Sequence, residues 1–490
     1  MGTINTSAID KVVRAAMRAW RIPGVAVAVV QGDEVYLQGY GVKEVGTEDP
    51  ITPNTLFAIA SMTKSFTTAC MAILVDEGKM SWDDHPRKHL PYFKLSDPVA
   101  DACVTMRDLV SHRTGMPRHD WLWCVAERTA DEIVRRYGLA PRSTSFRSAY
   151  EYANVPFSAA GLAVGAAADC TWQEFLQQRI FDPLGMGATC RVSVTEASPD
   201  HSHGHVKHKG KVVLVPPPEH DNSTAAGAIN ASAQDISKWL RLQLNDGEFE
   251  GTQIISKVNL DETKKPHMVV PCENPDKHGI DHGTNLSSYC LGWNKQEYRG
   301  EIIVSHGGWL RGFTSNTTLI PRLKTGVTVL ANLAIDGPVE CLANGLRDVI
   351  LGLPKRNWNA DIKVVQKAVA REAREKKAKE VRHKRTRPSR EMEAYVGEYE
   401  DPAYGAVSVS LADGKLAFKY GETEYRLKHY HFDTFVGESV HPERWEDISM
   451  TFTLGPDGEV AAVKTLQPGF EVEFRRQKKA EDAEKQPTDH

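Results

Sequence analysis

Thr55-Leu56-Phe57-Ala58-Ile59-Ala60-Ser61-Met62-Thr63-Lys64-Ser65-Phe66-Thr67-Thr68-Ala69-Cys70 is the stretch on which this 490-residue chain turns. From Ser61 the pattern is helical, with Phe66, Cys70, Ile73 and Leu74 recurring at three- and four-residue steps. Gly78, after Asp76-Glu77, is a natural stop. Ser61 thus falls at a helix N-terminus, where unpaired N–H groups and the dipole favour a developing negative charge. Lys64, three residues on, puts an ammonium on the same face as the Ser61 hydroxyl.

Two later segments supply what a serine nucleophile lacks. Tyr152-Ala153-Asn154 adds a phenol and an amide, and His306-Gly307-Gly308 adds a glycine-opened strand after Ile302-Ile303-Val304. Together these are the parts of an acyl-transfer site. A serine alkoxide does not form unaided near neutral pH, so a base is required, and Lys64 and Tyr152 are both candidates. A cation about 4 Å from the phenol oxygen contributes roughly 4 kcal/mol at an effective dielectric of about 20. At about 1.4 kcal/mol per unit, that brings a phenol from about 10 towards 7 as an upper bound, since burial of the phenolate acts the other way. Each segment alone is common in proteins; their order and surroundings give them weight.

With those residues in place, the chain resembles the serine β-lactamase and penicillin-binding-protein-like family, on the class C β-lactamase and family VIII esterase branch, from about Ile22 to Gly352. Asp108-Leu109-Val110-Ser111-His112-Arg113-Thr114-Gly115-Met116-Pro117, Phe181-Asp182-Pro183-Leu184-Gly185-Met186, Leu291-Gly292-Trp293 and Gly312-Phe313-Thr314-Ser315 resemble further family segments. The resemblance implies an α/β (α+β) fold, with an antiparallel sheet flanked by helices and an inserted helical lobe. It makes Ser61 the acylated nucleophile, Lys64 its electrostatic partner and Tyr152 the general base. Asn154 binds the acyl side of the substrate, and the backbone N–H groups of Ser61 and Trp309 form the oxyanion hole. His306, Gly307, Gly308 and Arg311 complete the substrate-binding set.

One departure bears on substrate. Many relatives carry Lys-Thr-Gly where this chain has His306-Gly307-Gly308, and that Lys and Thr engage a substrate carboxylate. A mostly neutral histidine and a glycine weaken such a clamp, with Arg311 a partial replacement. An ester, thioester, lactone or amide is therefore expected over a β-lactam. Lys324-Thr325-Gly326 spells the literal triplet, but it reads as a hairpin turn, with Gly326 supplying the unusual backbone angle. His201, His203 and His205 would share one face of a strand and could bind a metal. No Cys or carboxylate pattern completes that site, and the mechanism calls for no metal and no cofactor.

Composition bounds the rest. A net charge of −4 on so long a chain indicates neither nucleic acid nor an acidic substrate, and 41% hydrophobic residues suffice for a large core. No apolar run approaches the roughly 18 residues of a membrane span, and Met1-Gly2-Thr3-Ile4-Asn5-Thr6 lacks the apolar core of a secretory signal. The same residues fit a permissive myristoylation pattern. Eight scattered cysteines favour free thiols and a cytoplasmic setting. The expected partner is a small-molecule acyl substrate, with no nucleic acid and no integral membrane; oligomeric state is not legible.

Along the chain, 1–356 reads as the catalytic domain. Residues 357–390 read as a basic helical linker, because ten Lys or Arg and three Glu fall between Arg371 and Arg390 without interleaved aromatics. From 391 to 477, alternation such as Ala406-Val407-Ser408-Val409-Ser410-Leu411, followed by Asp413-Gly414, suggests a small antiparallel barrel or sandwich. Tyr395-Val396-Gly397-Glu398-Tyr399 resembles the lipocalin-like domain often appended to this family. Residues 478–490 read as a disordered tail. Trp121 and Trp123 can either line an acyl pocket or fill a core. The expected function is a serine hydrolase working through a Ser61 acyl-enzyme; the alternatives are an acyltransferase or cyclising thioesterase with the same intermediate, or a D-amino-acid amidase or peptidase. A non-catalytic scaffold would have no chemical reason to keep Ser61, Lys64 and Tyr152 together.

Overall fold

The computed structural model describes residues 3–125, 127–190, 198–216, 224–379, 382–441, 447–467 and 470–477. The expected tail and the Met1-Gly2 end of the myristoylation pattern lie outside them. Helix α1 (Thr6–Trp20) leads into the hairpin β1 (Gly24–Gln31) and β2 (Glu34–Gly41). Helix α2 (Thr63–Asp76) follows, then short helices and turns up to α3 (Val155–Ala168) and α4 (Ala233–Leu244). Strands return as β3 (Met268–Val269), β4 (Thr284–Tyr289), β5 (Asn294–Tyr298), β6 (Glu301–Leu310), β7 (Phe313–Ile320) and β8 (Thr325–Ala331), before α5 (Pro338–Ile350) and α6 (Trp358–Lys379).

These strands form one antiparallel sheet in the order β2-β1-β8-β7-β6-β5-β4-β3. The first hairpin therefore docks against the strand of this sheet that comes last in sequence, with Val27 opposite Val329. Strand β1, second from the sheet edge, is buried along nearly its whole length, which is why Gly24-Val25-Ala26-Val27-Ala28-Val29-Val30 reads as a continuous apolar run rather than an alternation. On one face Val25, Val27, Val29, Val327 and Val329 pack with Ile9 and Val13 of α1 and Leu342 and Leu346 of α5. Each such fully buried side chain contributes about 1.5–3 kcal/mol. On the other face α4 presses so closely on β8 that a Cβ at Gly326 would lie 2.8 Å from Leu240 Cδ2.

That placement corrects one expectation. Gly326 lies inside β8 and carries no positive φ; the left-handed residue of the turn is Lys324, at φ 44°. The literal Lys-Thr-Gly is thus a strand entry, and its glycine answers to packing.

A second compact unit comprises Lys94–Ser96, His119–Ser143 and Glu375–His490; the first comprises Met1–Phe93, Asp97–Arg118 and Thr144–Arg374. In the second, strands β9 (Gly397–Asp401), β10 (Gly405–Ala412), β11 (Lys415–Tyr420), β12 (Thr423–His431), β13 (Thr434–Ser439), β14 (Ile448–Leu454), β15 (Val460–Gln467) and β16 (Phe470–Arg476) close into a barrel, β16 returning to β9. Its interior is packed with buried aromatics, among them Tyr399, Phe418, Phe435, Phe452 and Phe474. Of the barrel and sandwich that the alternation left open, the chain forms the closed barrel, as the lipocalin-like resemblance implied.

The segment 119–143 joins this unit through specific bonds. The His119 ring accepts from the Tyr404 hydroxyl at Nδ1 (2.7 Å) and donates from Nε2 to Pro141 O (2.8 Å). Burial pushes its pKa down to about 4. Trp121 is 8% exposed and packs on Tyr420 at 5.5 Å between ring centroids, so it fills the core of the barrel unit. Among the described residues, no helix is long and apolar enough to cross a membrane.

Candidate active site

The residue two positions before the nucleophile is held from both sides. Ile59 N donates to Ile229 O at 3.0 Å, and Ile59 O accepts from Ser315 Oγ at 2.8 Å. Ala60 then adopts a left-handed φ of 49°, a conformation that costs a non-glycine residue about 1–3 kcal/mol and persists only where the surroundings over-determine it. A 3₁₀ turn over Ala60–Met62 carries Ser61 and feeds directly into α2. The nucleophile thus precedes the first α-helical residue by two positions instead of capping the helix.

Helix α2 is buried from Thr63 to Leu74. Its polar residues are satisfied inside the protein: Ser65 Oγ donates to Met62 O (2.8 Å) and Thr67 Oγ1 to Ala225 O (2.6 Å). Lys64 is 0% exposed. Its Nζ lies 3.0 Å from Ser61 Oγ, 2.8 Å from Asn154 Oδ1 and 2.8 Å from Ala226 O. It also lies 5.0 Å from the Tyr152 ring centroid and 5.3 Å from that of Phe157. Two carbonyl oxygens and two ring faces favour the charged ammonium at this buried position. Gly292 (φ 74°) lets the Leu291-Gly292-Trp293 turn press on the helix: a Cβ there would meet Lys64 O at 2.6 Å.

Tyr152 arrives on a segment laid along residues 108–113. Buried Asp108 anchors this shelf, bonded to the guanidinium groups of Arg113 (2.5 Å) and Arg147 (2.7 and 2.9 Å). These partners hold its carboxyl below the usual range although burial acts in the opposite direction. Glu151 N donates to His112 O (2.9 Å), and Ala153 N to His112 Nδ1 (3.2 Å). The His112 ring lies 4.2 Å from that of Tyr152 between centroids. Arg118 sits over the Tyr152 ring at 5.1 Å. The role of His112 is not visible in sequence, because its hydrogen bonds run to residues some forty positions away.

Strand β6 closes the opposite side. Its pairing with β5 ends at Ser305, so the run from His306 onward is paired through β7. A Cβ at Gly308 would stand 2.1 Å from Ile59 O and 2.3 Å from Ser315 Oγ, so the strand backbone runs directly beside the nucleophile turn. Trp309 follows, 58% exposed, and Arg311 stands in the tight turn to β7.

Two expected substrate contacts also have partners inside the protein. His306 is 4% exposed, with Nε2 3.0 Å from the Tyr289 hydroxyl and Nδ1 2.6 Å from Gly307 O. Burial and the nearby Lys64 charge push its pKa down to about 3. Both ring nitrogens thus have partners within the protein, and the neutral imidazole braces the strand. Asn154 is 7% exposed, and its Oδ1 is committed to Lys64. Ser61, Lys64, Tyr152 and Asn154 are therefore brought together, with Gly308 against the same turn.

His201 and His205 of the histidine run bond backbone groups, and His203 faces the Glu44 carboxylate at 3.7 Å. His201 Nδ1 faces Ser198 O (2.5 Å), while His205 bonds Asn332 O (2.9 Å) and Val45 N (3.0 Å). Among the described residues, no group of His, Cys, Asp and Glu side chains is placed to hold a metal ion.

Comparison with known proteins shows the family and the fold. Residues 9–351 match the family model described as beta-lactamase, and residues 381–483 match a domain of unknown function, DUF3471. An unguisins hydrolase, ungD, of Aspergillus violaceofuscus is 27% identical over 505 aligned positions, covering 93% of this chain and 86% of the relative. The octameric penicillin-binding protein homologue of Pyrococcus abyssi superposes with a TM-score of 0.63 at 20% identity, covering 96% of this chain and all of that one. The D-amino acid amidase of Ochrobactrum anthropi SV3 gives 0.58 at 24% identity, over 71% of this chain and 98% of the amidase.

Proposed function

The chain belongs to the beta-lactamase family, and from that premise we propose that it cleaves an ester, thioester, lactone or amide through an acyl-enzyme on Ser61. The observation that carries this reading is Lys64 Nζ at 3.0 Å from Ser61 Oγ, beneath the Tyr152 ring. Lys64 remains an ammonium, held by Asn154 Oδ1 and Ala226 O. It lowers the energy of the phenolate and of the developing alkoxide alike.

Tyr152 takes the Ser61 proton as Oγ bonds to the acyl carbon. The tetrahedral oxyanion is received by the backbone N–H groups of Ser61 and Trp309, a kind of donor typically worth about a hundred- to a thousandfold in rate. Collapse breaks the bond to the leaving alcohol, thiol or amine, which takes the proton back from Tyr152. Attack on the acyl-enzyme by water gives hydrolysis; attack by another nucleophile gives acyl transfer from the same intermediate.

Neutral His306 and the bare Gly307 supply no carboxylate clamp, which disfavours β-lactams. The relative named for hydrolysis of unguisins supports hydrolysis as the outcome. A small-molecule acyl substrate fits this chemistry, and the scattered cysteines fit a cytoplasmic site of action.

The test is time-resolved intact mass after mixing with p-nitrophenyl esters of graded chain length, beside Ser61→Ala. A transient acyl adduct absent from the variant is expected. Equal nitrophenol release from both proteins would defeat the proposal, and adduct loss accelerated by added amine or alcohol would mark a transferase.

A further inference from the structure

His112 combines features that packing alone does not require. Its backbone is left-handed, at φ 57°. Its carbonyl accepts from Glu151 N at 2.9 Å and its Nδ1 from Ala153 N at 3.2 Å, on either side of Tyr152. Its ring lies against those of Tyr152 and Tyr289, at 4.2 and 4.4 Å between centroids. The side chain is 1% exposed, and its Nε2 meets no hydrogen-bond partner.

Because Nδ1 accepts, the neutral ring carries its proton on Nε2, where that buried donor goes unused. A buried polar atom left unsatisfied asks for an explanation, since an apolar residue would fill the same space without that penalty. Burial, with the charges of Lys64 and Arg118 nearby, holds the pKa of His112 well below its ordinary value. The imidazole therefore adds no second cation beside Lys64. What the site gains from histidine is an acceptor at the δ position, tolerance of a left-handed backbone and a flat face.

We propose that His112 is a positioning residue for Tyr152, clamping the Glu151–Asn154 segment through its carbonyl and Nδ1 while its ring seats the phenol. This rests on Tyr152 serving at the Ser61 site. Asparagine reproduces two of the three features, since Oδ1 falls near the Nδ1 position and the residue accepts a left-handed φ. Phenylalanine keeps only the flat face.

The experiment compares His112→Asn and His112→Phe with the wild-type protein by p-nitrophenyl ester kinetics, thermal melting and amide hydrogen exchange over residues 148–157. His112→Phe is expected to lower kcat about a hundredfold, the scale of a one-ångström misplacement, with KM within about threefold and faster exchange confined to that segment. His112→Asn is expected to recover kcat to within about tenfold of wild type, with exchange restored. Unchanged kcat and exchange in His112→Phe would overturn the proposal. So would equal losses of kcat and melting temperature in both variants, which would mark a purely structural role. If Ser61→Ala hydrolyses the ester as fast as wild type, the acyl-enzyme reading fails, while the exchange measurement still decides whether His112 clamps the segment.

Discussion

Asn154 Oδ1 stands 2.8 Å from Lys64 Nζ, so the amide expected to meet the substrate is committed to the cation beneath the nucleophile. Both residues are buried. Asn154→Ala leaves the ammonium short of one acceptor where water does not replace it, a loss of about 1–3 kcal/mol. Acyl-enzyme formation should slow at least tenfold and the melting temperature should fall by several degrees. Stopped-flow burst kinetics and calorimetry check the two effects, and an unaltered burst would return Asn154 to a purely substrate-side role.

The two adjacent glycines of β6 should respond oppositely to the same methyl group. At Gly307 the nearest atoms to an added Cβ are Ser315 O at 3.6 Å and Asn316 Nδ2 at 3.7 Å, ordinary contacts; at Gly308 it would meet Ile59 O at 2.1 Å. Gly307→Ala should keep ester turnover within about threefold, whereas Gly308→Ala pushes the strand off the nucleophile turn. A loss of about a hundredfold or more is expected there, given how steeply rate falls with misplacement. Comparable rates for the two variants would mean the strand does not serve the oxyanion.

Much of this site was legible because its chemistry is local or ordered along the chain. Ser61 and Lys64 are one helical turn apart, and Tyr152-Ala153-Asn154 gains its weight from following them in order. The sheet was foreseeable from the runs at Val25–Val30 and Ile302–Asn332, and the barrel from alternation after 391. What escaped reading depends on distant contacts. His306 carries the mark of a substrate-facing residue, yet Tyr289, seventeen residues earlier, takes its outer nitrogen. Gly326 looks like a turn glycine, yet Leu240 on α4 accounts for it. His112 and Asp108 act through Ala153 and Arg147, pairs that no periodicity links.

Acid should loosen the barrel unit through His119. Its folded pKa is about 4 against an ordinary value of 6.5, because burial disfavours the charged ring. Above 6.5 both states are neutral there and His119 makes no pH-dependent contribution. As pH falls from 6.5 towards 4, the unfolded chain binds the proton first, and up to about 3 kcal/mol is lost at about 1.36 kcal/mol per unit. Urea midpoints at pH 7.0, 5.5 and 4.5 should therefore fall more steeply for wild type than for His119→Asn, which does not titrate. Parallel slopes would show that the ring is hydrated in solution.

The opposite sign holds at His282, where alkali rather than acid should release the segment before β4. Its Nε2 lies 2.9 Å from Asp276 and its Nδ1 3.2 Å from Glu340 on α5, and these carboxylates raise its pKa to about 9 despite some burial. The folded state holds its proton more tightly than the unfolded chain does. The contribution is thus fully present below 6.5 and is lost as pH rises through about 9. Part of the side chain is open to water, so the effect is screened and should appear as local opening rather than global unfolding. Intrinsic rates corrected for pH, amide exchange over 274–283 should accelerate between pH 6.5 and 9.5 relative to the rest of the unit. Glu340→Gln removes the larger of the two attractions and should move that transition to lower pH. An exchange profile that stays flat in both proteins would mean that the ion triad does not hold the segment to α5.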